Sequence, residues 1–210
     1  MTDILSMPTT PRPRASRFVL HGNTRQFVSP LTGATQTLEL VGSRWMATYE
    51  LPVMKRPEAE AWAAFLSRCN GLAGRFYAGD PAALTARGPA TGAPVVAGAS
   101  QTGTALLTDG WTDAVTGILL VGDYIAWETP SGWRELHKMV ESANSDGAGL
   151  ATLQITPPIR ESPADNAPLI VVSPTCVMRL ATADEAAWTM DRGSAYGIAF
   201  NAEEAFAGSA

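Results

Sequence analysis

The chain has 210 residues, 46% hydrophobic, 17% charged and 8% aromatic, which is enough apolar material to bury a core in one or two domains and excludes disorder throughout. No run approaches the roughly 18 to 20 apolar residues of a membrane-spanning helix. Pro8, Pro11 and Pro13 among Arg12, Arg14 and Arg17 stand where a secretory leader would be apolar, so the expected setting is cytoplasmic. The formal charge of −5 hides a split: residues 1–105 hold 10 basic and 6 acidic side chains, residues 106–210 hold 5 and 14. With only two lysines the chain lacks the cationic surface that wrapping DNA requires.

The first 25 residues show little periodicity and read as an extended, basic arm. From Thr35 an alternation begins: Leu38 and Leu40, a Gly42-Ser43 turn, then Trp45, Ala47, Tyr49 and Leu51, which predicts a β-hairpin. A helix is predicted over 57–69. Pro57 opens it, Glu58 and Glu60 sit near its positive end, and Arg68 with Asn70-Gly71 closes it. Trp62, Phe65, Leu66 and Cys69 fall at i, i+3, i+4 and i+7, so one aromatic stripe should pack on a sheet.

A strand follows at Arg75 to Ala78, then the turn Gly79-Asp80-Pro81. The Gly-, Ala-, Pro- and Thr-rich stretch to Gly103 reads as a long connection, with Val95-Val96 as a short edge strand. Short strands are then expected at 105–107, 118–121, 124–128, 133–140, 150–156, 169–172 and 176–180. The reversals Thr129-Pro130-Ser131-Gly132, Asn144-Ser145-Asp146-Gly147 and 157–168 between them give the spacing of a small barrel. A last hairpin should pair Trp188 to Met190 with Ala195 to Phe200, Tyr196, Ile198 and Phe200 sharing a face.

Chemistry is sparse. Asn144-Ser145-Asp146-Gly147 lacks the alternating carboxylates and closing Glu of a calcium loop and reads as an Asx-type turn. Glu135, His137 and Glu141 alternate along a strand as acid-base candidates, but Arg134 and Lys138 beside them favour a solvated exterior. Cys69 and Cys176, with only His21 and His137 in the chain, give no zinc spacing and read as buried thiols. No nucleophile elbow, phosphate loop, dinucleotide fingerprint or Asn-x-Ser/Thr acceptor occurs. The expectation is therefore no enzyme, no catalytic residues, no metal and no cofactor. Trp45, Trp62, Trp111, Trp127, Trp133 and Trp188 exceed what a small core needs, so some are expected at subunit interfaces or a sugar-stacking face and most in the core.

The run Trp45-x-Ala47-x-Tyr49-x-Leu51-Pro52, Arg56 to Trp62, Phe65-Leu66, Cys69-Asn70-Gly71, Gly74-x-Phe76 and Gly79-Asp80-Pro81 resembles the distal tail proteins of long-tailed bacteriophages (siphophages) and gene transfer agents. Downstream, Val121-Gly122-Asp123, Ala148 to Thr152, Thr156-Pro157-Pro158-Ile159-Arg160 and the terminal aromatic hairpin resemble the second part of such proteins, so the likeness spans most of residues 35–205.

What the resemblance implies is a mainly β chain with one flanking α-helix: a split-barrel, tail-tube-like domain formed by residues 1–92 plus 182–210, and an inserted outer oligosaccharide-binding-like β-barrel at 93–181. It implies a structural virion protein at the tail tip, present in the host cytoplasm during assembly. As a homo-hexamer it would join the tail tube protein above to the hub below, and DNA and the tape measure would pass through without specific binding or a membrane. A head-to-tail ring needs one patch to meet a different patch on the next copy. Strand edges and the Arg12 to Arg17 arm, bridging to an acidic neighbour, are the expected material, and acidic groups are expected to outnumber basic ones along the lumen. The alternative is a carbohydrate-binding β module for host adhesion, supported by the tryptophans. A small hydrolase using Glu135, His137 and Glu141 ranks below it.

Overall fold

Apolar alternation dictates the strands. The computed structural model describes residues 3–185, 187–190 and 195–206. In chain order the strands are β1 (Ile4–Ser6), β2 (Ala15–His21), β3 (Thr24–Val28), β4 (Thr35–Glu39), β5 (Arg44–Glu50) and β6 (Met54–Lys55), then helix α1 (Arg56–Cys69) and β7 (Arg75–Ala78). The second half holds β8 (Gly92–Val96), β9 (Gly103–Trp111), β10 (Tyr124–Glu128), β11 (Arg134–Met139), β12 (Ala151–Ile159), β13 (Cys176–Leu180), β14 (Trp188–Met190) and β15 (Ala195–Glu204). The protein is thus mainly β, and its large sheet, ordered β1-β7-β13-β15-β5-β2, curls into a half-barrel.

Strand β15 organises that sheet. Its first residues pair with β6 and β14, and its later ones with β5 and β13. Helix α1 lies over it with Ala59, Trp62, Phe65, Leu66 and Cys69 buried, the stripe expected from the sequence. Its rings interlock with the sheet: Phe65 lies 5.2 Å from Phe76, and Trp62 6.1 Å from Phe200, which is 5.3 Å from Tyr49. The helix starts one residue earlier than the predicted 57, with the Glu58 carboxylate accepting from the Lys55 amide at 3.4 Å. It ends at Asn70, whose φ of 48° is left-handed.

The smaller sheet is ordered β10-β11-β12-β9-β8. Residues 167–172 bridge its two edges, Pro168 to Val95 of β8 and Ile170 to Ala126 of β10, so this sheet also curls on itself. Strands β10 and β11 are buried on both faces: Tyr124, Ala126 and Leu136 enter the core of the large sheet, Ile125, Trp127 and Met139 a second core. The two sheets therefore share a wall.

Several expectations need correction. Strand β4 pairs with β3, not with β5, and β5 lies between β2 and β15. The Asn23 side chain donates to Val41 O at 2.7 Å and the Leu40 amide to Asn23 O at 2.8 Å, so segment 24–39 leaves and returns at one point. The Leu38 and Leu40 alternation thus belongs to a hairpin that faces no core of this chain.

Of the expected arm, residues 4–6 and 15–21 are extended, but the chain itself pairs them, β1 with β7 and β2 with β5, where Phe18 stacks on Trp45 at 5.1 Å. Residues 118–121 form no strand, with Leu119 making one isolated bridge to Ala143, and 169–172 likewise make only isolated bridges. Strand β13, grouped with the outer barrel by the sequence, pairs with β7 and β15 in the large sheet. The strands at 75–78, 95–96, 124–128 and 134–139 and the pairing of 188–190 with β15 agree with expectation.

Candidate functional site

Strand β11 carries the acid-base candidates, and the structure separates them. Glu135 and His137 are buried, while Glu141 is exposed beyond the strand end. The expectation of a solvated face fails for Glu135 and His137 because β11 is an inner strand of a shared wall, while Arg134 and Lys138 beside them are half-buried. His137 Nδ1 lies 2.8 Å from the Pro157 carbonyl and Nε2 3.2 Å from Glu135 Oε2, with the ring stacked at 4.2 Å on Trp127. Glu135 also accepts the Glu161 amide at 3.0 Å and the Arg160 amide at 3.3 Å.

From that turn Arg160 crosses between the sheets, bonding Glu204 of β15 and the Ser43 carbonyl at 3.3 Å. Glu204 in turn accepts the Trp45 amide at 3.0 Å. Burial pushes the Glu204 carboxyl up to about 7, against the pull of Arg160 and that amide. Burial also pushes Glu135 up, but His137, Arg160 and the turn amides outweigh it and hold the carboxylate below its ordinary range. For His137 burial is the largest influence and pushes the imidazole down, opposed by Glu135. With His137 sealed from solvent, this arrangement fastens two sheets rather than presenting groups to a substrate.

The other candidates resolve in the same direction. Asp146 Oδ1 accepts the Ala148 and Leu150 amides at 2.8 and 2.9 Å, and Asn144 accepts the Gly117 amide at 2.7 Å, so the 144–147 oxygens complete turns. Trp45, Trp62, Trp111 and Trp127 are buried and Trp133 is half-buried, while the Trp188 side chain lies outside the described ones. Both cysteines are buried free thiols. Among the described residues no three His, Cys, Asp or Glu side chains group as metal ligands, and no helix is long and apolar enough to cross a membrane.

The sequence gives Asp123 and Arg160 only a place in the runs that carry the resemblance, and assigns no chemical role to them or to Glu204. Asp123 is buried and gathers the amides of Leu120, Arg87 and Gly88 at 2.8, 3.0 and 3.2 Å. A carboxylate straight after a glycine turn was the available signal, and nothing local marked the other two.

The feature that the chain leaves incomplete is the hairpin β3–β4. Among the described residues its strands pair only with each other, and every residue in them is exposed. Phe27, Val28 and Leu38 are about half exposed, and Leu31 at its tip and Val41 at its root are 94% and 97% exposed. A lone two-stranded hairpin is marginal in water, and a cluster of exposed apolar groups on it calls for a cover. It follows directly in the chain on β2, the last strand of the large sheet, whose outer edge is unpaired among the described residues. Arg17 on β2 and Arg25 on β3 form no ion pair within the chain among the described residues, whereas Arg14 reaches Glu50 at 3.2 Å. Hairpin, edge and cations make one continuous stretch of chain, residues 15–41. The chain matches no protein-family model and no curated protein sequence.

Proposed function

We propose that this chain is the subunit of a six-membered ring at the tail tip of a long-tailed phage or gene transfer agent, joining tube to hub around a passage for DNA and tape measure. The observation that carries the reading is the β3–β4 hairpin: sixteen residues, 24–39, whose strands pair with no other strand among the described residues, with Phe27, Val28 and Leu38 half exposed and Leu31 almost fully so. A head-to-tail ring covers such an arm with the next copy.

In this reading the large sheet with α1 is the ring-forming split barrel, residues 1–92 plus 182–210. The smaller curled sheet is the outer, oligosaccharide-binding-like barrel of 93–181, with β13 returning to the ring sheet. The unpaired β2 edge supplies amide and carbonyl groups for a neighbour's strand, and Arg17 and Arg25 supply cations for an acidic one. The protein acts by shape and assembly and performs no catalysis. The sugar-binding alternative rests on tryptophan platforms, and four of the six tryptophans point into the core.

Electron microscopy of the purified full chain tests the reading. End-on views should show hollow rings with six subunits. A uniform field of single 22.1 kDa particles at micromolar concentration would contradict it.

A further inference from the structure

The ring reading makes no use of the buried pair on β11. Hydrogen-bond counting at His137 is restrictive. Its two ring nitrogens face two acceptors at direct hydrogen-bonding distance, the Pro157 carbonyl at 2.8 Å and Glu135 Oε2 at 3.2 Å, and the ring is fully buried. A neutral imidazole carries one N–H. It satisfies the carbonyl and then aims a lone pair at a carboxylate, a buried acceptor against an acceptor. One more proton removes that conflict.

Burial favours discharging the ring, but three features of the site oppose it. Glu135 is a direct counter-ion, the Pro157 carbonyl fixes the second N–H, and Trp127 lies parallel beneath the ring, within 6°, as a cation–π partner.

We propose that His137 and Glu135 keep one proton between them at neutral pH, and that this proton pins a latch holding the two sheets together. Glu135 is the hinge of the latch: one of its oxygens faces the ring, and both hold the amides of Arg160 and Glu161. That turn sends Arg160 across to Glu204 and Ser43 in the large sheet. Loss of the proton sets the His137 lone pair against Glu135, turns the carboxylate and frees the turn that carries Arg160. The other ionisable groups facing the cluster are Glu161 in the same turn, Arg44 of β5 across the Phe206 ring, and Cys176 of β13 near Glu204. A retained proton contributes stability that is full below the ordinary histidine value near 6.5 and lost as pH rises through the pair's own value.

The test uses the full chain labelled with ¹⁵N-histidine, in which exposed His21 serves as an internal reference, together with the Glu135 carboxyl ¹³C signal. At pH 7.5 the pair should still hold its proton, seen as two protonated His137 nitrogens or a protonated Glu135. Its titration midpoint should lie above pH 8, at least 1.5 pH units above the ordinary value of about 6.5. Glu135→Gln should return His137 to a neutral ring with only Nδ1 protonated, and melting temperatures of the wild type and E135Q should converge between pH 8 and 10. An unprotonated Nε2 beside an ionised Glu135 at pH 7.5 in the wild-type chain overturns the proposal, whether or not the variant folds.

Discussion

The indole of Trp45, on β5 of the large sheet, donates from Nε1 to the backbone carbonyl of Leu136, on β11 of the small one, at 2.7 Å. The bond matters because it lies where two cores meet. Trp45 stacks on Phe18 at 5.1 Å and meets Tyr124 edge-on at 5.5 Å, so one side chain ties the edge strand β2, the large sheet and the small sheet together. Replacing it with Phe keeps most of the apolar volume and removes the donor, leaving a buried carbonyl short of a partner. Trp45→Phe should lower stability by about 2 kcal/mol in denaturant titration, with the loss falling on both sheets in one transition.

Glu204 should make stability fall as pH rises. Its folded value near 7 lies above its ordinary value of 4.5, so the folded chain binds a proton that the unfolded chain has released. The contribution is full below about pH 4.5 and is lost as pH rises through about 7, amounting to up to ~3 kcal/mol for a shift of this size. In Glu204→Gln the amide still accepts from Trp45 but cannot titrate. The difference in stability between wild type and E204Q should therefore shift against the wild type from pH 4.5 to 8, as read by urea midpoints at each pH.

Asp123 has the opposite sign. Burial raises it, but the amides of Leu120, Arg87 and Gly88 and the Arg87 guanidinium together hold it below its ordinary value. Its stabilisation is present above the ordinary carboxylate range and is lost as pH falls through the folded value. Asp123→Asn should cost ~2 kcal/mol at pH 7, and the gap to the wild type should narrow as pH falls below the ordinary carboxylate range in chemical denaturation.

The hairpin separates folding from assembly. Phe27 and Leu31 touch no core, so Phe27→Asp with Leu31→Asp should change the monomer's stability by only about 0.5 kcal/mol. The same pair of changes should abolish rings in electron micrographs. A marked loss of stability would mean that the hairpin packs within its own chain.

Much of the fold was legible because local pattern and tertiary position agreed. The Trp62, Phe65, Leu66 and Cys69 stripe fixed the helix face, and Arg75 to Ala78 and Tyr124 to Glu128 announced their strands through dense apolar residues. The Leu38-to-Leu51 hairpin failed because alternation reports a strand but not its partner, and β3, with the sequence Thr-Arg-Gln-Phe-Val, has no core-facing alternation to betray it. Glu135 and His137 misled for a related reason: polar residues on a strand normally mean water, yet here Arg160 arrives from 25 positions downstream to pair with Glu135, which in turn meets His137. The Arg160–Glu204 bond joins residues 44 apart, and no local window contains both. The exposed arm, which carries the functional reading, became visible only once the cores were placed.

Light-scattering mass of the purified full chain, followed across concentration, tests the ring most directly. Six copies of a 22.1 kDa chain should give a discrete species of about 133 kDa that persists on dilution and is lost in the Phe27→Asp, Leu31→Asp variant. A mass that stays at 22.1 kDa from micromolar to hundreds of micromolar chain would contradict the account.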